Sequence, residues 1–81
     1  MVDVKVLIVG RDRRVGAMVK ALAVEVAGNT AVTGATMEFL GENGFYLFHF
    51  PSLSHAEDFN KTVSKYLPER FATVTGAEIL N

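Results

Sequence analysis

The chain has 81 residues, 49% of them hydrophobic, with no cysteine and 8 Lys plus Arg against 9 Asp plus Glu, a formal net charge of -1. That balance supplies no overall basic field for nucleic acid or an anionic membrane, and the lack of cysteine excludes a disulfide framework, a thiolate nucleophile and a zinc–thiolate site. The length predicts one domain over 1–81 with a modest core. The first residues show no export signal and the apolar runs are too short to span a bilayer, so the expected setting is the cytoplasm, with no membrane partner.

Val2, Val4, Val6 and Ile8 alternate with Asp3, Lys5, Leu7 and Val9. This is a β-branched strand with one apolar and one mixed face, suited to the centre of a sheet. Gly10 breaks the run, and from about Arg13 the spacing becomes Val15, Met18, Val19, Leu22 and Val26, the rhythm of a helix face, with Asp12 placed to cap its start and Gly28-Asn29 to end it. A second strand is predicted from about Val32 to Leu40. Glu42-Asn43-Gly44 then reads as a tight hairpin turn, because Asn-Gly readily supplies two positive-φ positions.

The third strand is Phe45-Tyr46-Leu47-Phe48-His49-Phe50, with Tyr46, Phe48 and Phe50 on one face and Phe45, Leu47 and His49 on the other. Ser54-x-x-Glu57 has capping-box spacing and predicts a second helix that turns Ala56, Phe59, Val63, Tyr66 and Leu67 inward and stops at Pro68. Arg70 to Ile79 reads as a final strand, bent or bulged at Gly76. The order β-α-β-β-α-β predicts an α+β, ferredoxin-like fold: a four-stranded antiparallel sheet with two helices on one face.

Such a sheet buries only one side. The open side is expected to carry Leu7, Phe45, Leu47 and His49, and a one-residue slip in register would exchange Phe45 and Leu47 for Tyr46 and Phe48. Opposite its core side, the first helix presents Ala17, Ala21 and Val24, small apolar residues where charge is usual. Both surfaces point to a protein partner or a second copy of the chain as a homodimer.

The loop from Gly10 to Gly16 holds Arg11, Arg13 and Arg14 where a strand hands over to a helix, a pattern that suits a phosphate or carboxylate. Cations at a helix N-terminus oppose its dipole, however, and a solvated loop is the plainer reading. Gly10-Arg11…Val15-Gly16 resembles the phosphate loop of the acylphosphatase family, a group of small ferredoxin-like enzymes. That resemblance implies an arginine at the position of Met18 and a catalytic asparagine at the position of Glu38; both departures argue against the activity. Gly44-Phe45…Phe50 is similar to part of the RNA-recognition motif, which stacks bases on third-strand aromatics, but Tyr46, Leu47 and Leu7 stand where that motif implies a small residue and two stacking aromatics. Stacking gains roughly 1–3 kcal/mol per base, which Leu7 and Leu47 cannot supply, so nucleic acid is the less favoured partner.

Catalytic groups are sparse. His49 and His55 have no clustered carboxylates at metal-ligand spacing, Ser52 and Ser54 lie in no nucleophile-elbow motif, and no catalytic residue, metal or cofactor is expected. His49 is expected on the open face beside Lys5 and Glu38. The sequence reads as a non-enzymatic binding module acting through protein contacts, with RNA or phosphate binding at Arg11–Arg14 as the alternative and acylphosphatase-like chemistry disfavoured.

Overall fold

Alternating β-branched residues put β1 (Val2–Ile8) in the middle of the sheet. The computed structural model describes residues 2–66 and 75–80. In chain order, β1 leads through a 3-10 turn at Val9–Arg11 into helix α1 (Arg13–Ala27), then a second 3-10 turn at Asn29–Val32, helix α2 (Met37–Asn43), strand β2 (Phe45–Phe50), helix α3 (Leu53–Tyr66) and strand β3 (Thr75–Leu80). The sheet order is β2-β1-β3, and both outer strands run antiparallel to β1. Val4 stands opposite Phe48 and Ile79; Lys5 stands opposite Leu47 and Glu78.

The core lies on the even-numbered side of β1 and β2. Val4, Val6, Ile8, Tyr46, Phe48 and Phe50 are buried there against Val15, Val19 and Ala23 of α1, Ala56, Phe59 and Val63 of α3, and Leu40 of α2. Phe59 is the pivot: its ring centroid lies 5.4 Å from that of Phe48 and 5.0 Å from that of Phe50. Aromatic pairs at such distances add roughly 0.5–1.5 kcal/mol to the gain from burial alone. The predicted division of the Phe45–Phe50 strand into a buried Tyr46, Phe48, Phe50 face and a half-buried Phe45, Leu47, His49 face is the one observed.

The ferredoxin-like expectation fails at its second strand. Among the described residues, three strands and three helices stand in place of the four strands and two helices expected, within the α+β class. The stretch predicted as strand 32–40 instead turns through Thr33 and Gly34 and enters α2. Thr36 Oγ1 accepts from the Phe39 N–H at 3.1 Å and starts the helix; Gly44, at φ 77, ends it, its N–H donating to the Leu40 carbonyl at 2.8 Å. Asn43-Gly44 is therefore a helix end and not a hairpin turn. Only Gly44 of that pair takes positive φ, whereas the predicted turn needs both residues there.

Smaller corrections follow the same logic of local hydrogen bonding. Helix α3 is capped by Ser52, whose Oγ accepts from the His55 N–H at 3.3 Å, and Ser54 lies inside the helix. Met18 and Tyr66, predicted as core, are 39% and 60% exposed. Predicted core residue Leu67, the stop at Pro68 and the start of the last strand at 70–74 lie outside the described residues. Asp12 caps α1 as expected, its carboxylate Oδ1 accepting from the N–H of Arg14 at 2.8 Å and of Val15 at 3.3 Å. Gly28 ends the helix.

Candidate functional site

Helices α1 and α3 pack on the Val4/Phe48 side of the sheet, and among the described residues no helix packs on the opposite face. Residues paired across antiparallel strands share a face, so this face collects Asp3, Lys5 and Leu7 of β1, Phe45, Leu47 and His49 of β2, and the register positions of Gly76, Glu78 and Leu80 in β3. Leu7 is 47% exposed and Leu80 38%; Lys5, Phe45, Leu47 and His49 are half-buried. The four sheet residues singled out from sequence thus share one surface.

Two polar groups of the face partner each other. His49 Nδ1 lies 2.7 Å from Asp3 Oδ1, its direct cross-strand neighbour, in a hydrogen bond that becomes an ion pair when the imidazole is protonated. The predicted neighbour Glu38 is not there, because α2 carries it, exposed, in its first turn. Lys5 Nζ sits 4.5 Å from the centroid of the Phe45 ring, and Phe39 of α2 meets the same ring in a T-shaped contact at 5.6 Å. Helix α2 therefore reaches round the β2 edge to touch the open face. Phe45, the ring that β2 places on that face, already has a cation over it.

On α1, Ala17 and Ala21 are exposed and Val24 is half-buried. They lie on the helix layer, on the other side of the sheet from Leu7 and Leu47, so the two predicted contact surfaces are separate.

The arginine loop is divided by the structure. Gly10 and Arg11 take successive positive φ values of 73 and 52, and the Arg11 guanidinium comes to rest beside Gly44, where an added Cβ would lie 3.8–3.9 Å from its atoms. It thereby stands at the C-terminal end of α2, whose free carbonyls carry partial negative charge. Arg13 and Arg14 are exposed in the first turn of α1, and the amides of Arg14 and Val15 that an anion would use already donate to Asp12.

Sequence reasoning missed two contacts. Ser52 Oγ lies 2.7 Å from His55 Nδ1 while also accepting from the His55 N–H; the Ser-x-x-His spacing was the available signal. The pair closes the first turn of α3, and among the described residues no carboxylate hydrogen-bonds to His55, so the third member of a nucleophilic triad is not supplied there. The Asp3–His49 bond needs the β1–β2 register, which no local motif states. Among the described residues, no three or more His, Asp or Glu side chains come together to hold a metal ion, and no helix is long and apolar enough to cross a membrane.

Comparison with protein-family models, with curated proteins and with solved structures finds no match to this chain.

Proposed function

We propose that the chain is a small non-enzymatic binding domain that makes protein–protein contacts through its open sheet face. The observation that carries this reading is Leu7, nearly half exposed at the middle of the sheet, with Phe45 and Leu47 beside it on the same face. A single exposed leucine is ordinary on a protein surface; a contiguous apolar group on one sheet face is the composition of an interface centre. The rim suits that role as well, since Asp3 and His49 satisfy each other and need no new partner when the centre is covered.

Other surfaces support less. An RNA base would have to displace Lys5 from the Phe45 ring, with only aliphatic Leu7 and Leu47 beside it. A phosphate at the α1 N-terminus would compete with the Asp12 carboxylate for the same amides. The Ser52–His55 pair serves as a helix cap. A second copy of the chain is the partner always at hand, and a cysteine-free composition suits the reducing cytoplasm.

The test is solution mass by size-exclusion chromatography with light scattering across a range of concentrations, on the wild type and on Leu47→Asp, with circular dichroism as the check on fold. The wild type should gain mass on concentration, and the variant should reach a lower mass at the highest concentration. A folded Leu47→Asp that associates as the wild type does would remove the open face from the interface.

A further inference from the structure

The chain contains one Asn-Gly step, Asn43-Gly44, and it falls where α2 ends and β2 begins. An asparagine followed by glycine is open to a reaction of the chain with itself. The Gly44 backbone nitrogen gives its proton to a solvent base and attacks Asn43 Cγ; the new C–N bond closes a succinimide ring, and the side-chain nitrogen leaves as ammonia. Water then opens the ring at one carbonyl or the other, giving aspartate or isoaspartate at position 43. Glycine is the favourable second residue because no side chain shields its nitrogen and its backbone turns freely into the ring geometry.

The folded chain opposes each part of that approach. Asn43 is the last residue of α2, and its side chain points back along the helix, where Nδ2 donates to the Phe39 carbonyl at 2.9 Å. The Gly44 nitrogen lies in the other direction along the chain. Its N–H donates to the Leu40 carbonyl at 2.8 Å, which holds the proton that must leave. The Gly44 carbonyl is fixed as well, accepting from the Ile8 N–H at 3.0 Å. Yet α2 has only seven residues, and Asn43 is exposed at its end. Short helices fray from their ends at a small part of the cost of global unfolding.

We infer that Asn43-Gly44 is a self-modification site that α2 keeps closed, and that fraying of α2, with the rest of the fold intact, opens it to deamidation. Nothing in this depends on the open sheet face. Neither product can donate to the Phe39 carbonyl as the amide does. Aspartate adds a negative charge at a helix C-terminus, where the dipole disfavours it, and isoaspartate adds a methylene to the main chain just ahead of β2. Either product loosens the hold on Phe39, whose ring meets Phe45.

The experiment is incubation of the full chain in mildly alkaline buffer, with and without urea, followed by tandem mass spectrometry of the digested protein. Asn29 precedes threonine and Asn60 precedes lysine, so both serve as internal standards and should convert more slowly than Asn43 in urea. In the native chain Asn43 should convert about tenfold or more slowly than in urea. Equal rates at Asn43 in the two conditions overturn the inference, because α2 then closes nothing, and so does a lack of conversion in urea.

Two variants separate fraying of α2 from unfolding of the whole chain. Thr36→Ala removes the hydroxyl that caps α2 and should speed native-state deamidation about fivefold. Phe59→Leu weakens the core through α3 and should leave the rate near that of the wild type. Equal acceleration in the two variants would assign the opening to global unfolding, and no acceleration in Thr36→Ala would remove α2 from control of the site; either result overturns the inference.

Discussion

Gly16 and Leu40 approach so closely that a Cβ on Gly16 would lie 3.0 Å from Leu40 Cδ2, and 3.2 Å from Tyr46 Cε2. Helix α1 thus gives up a side chain to let α2 and β2 seat against it. Gly16→Ala sets two effects against each other. Alanine in a helix interior gains about 1 kcal/mol over glycine, but overpacking a filled core costs about 1–3 kcal/mol. Leu40 and Tyr46 are almost fully buried and have little room to withdraw, so the variant should be less stable by about 1 kcal/mol, read as a lower urea midpoint at unchanged slope. A higher midpoint would mean that α2 moves freely.

Helix α2 itself depends on its ends. Seven residues make two turns, too few to hold a helix by propensity alone, so the Thr36 hydroxyl on the Phe39 amide matters more than a cap on a long helix would. Thr36→Ala should cost about 1 kcal/mol and shift the Cα resonances of 37–43 toward random-coil values, leaving those of α1 in place. Strand-like shifts at 37–43 in the wild type would contradict the helix directly.

The same segment marks the boundary of what the sequence discloses. The two faces of β2 were legible because a period of two is unambiguous when one face is wholly aromatic, and α1 was legible because Asp12 and Gly28 bracket fifteen residues of helical spacing. In α2 the signals conflict. Val32 and Thr33 favour a strand, Asn43-Gly44 satisfies the hairpin rule, and Met37 to Leu40 is too short to establish a helical period. The balance is settled by the Thr36 and Gly44 caps, which are local but not part of the hydrophobic pattern, and by the Gly16 contact, which is tertiary. At the candidate site, Leu7, Phe45, Leu47 and His49 were correctly grouped on one face, because alternation groups them. The Asp3 partner of His49 depends on pairing between residues far apart in sequence, and the placement of Glu38 failed with the strand that was to carry it.

Phe59 is the side chain on which the two layers depend, in contact with both Phe48 and Phe50 and itself fully buried. Truncating a buried phenylalanine to alanine costs about 3–5 kcal/mol, a large share of the roughly 4–12 kcal/mol expected for a chain of this length. Phe59→Ala should unfold at a much lower denaturant concentration or be partly unfolded in water, with loss of amide dispersion in its NMR spectrum. Phe59→Leu, which retains most of the volume, should stay folded with a smaller loss. Equal effects from the two would show that the ring contacts, and not the filled volume, carry the stabilisation.

Tyr46 gives the fold an alkaline limit. Burial disfavours the phenolate and raises the Tyr46 pKa above its ordinary value of 10.0. The native state then holds the phenolic proton more tightly than the unfolded chain does. Below the ordinary value both states are protonated, and the group lends stability no pH dependence. As pH rises through about 10 the unfolded chain releases its proton first, so stability falls until the native value is also passed. Tyr46→Phe keeps the ring, and with it the contact to Phe48 at 5.5 Å, while removing the titration. Urea midpoints at about pH 8 and about pH 11 should therefore fall further for the wild type than for Tyr46→Phe. Equal falls in the two proteins would assign the alkaline loss to other groups.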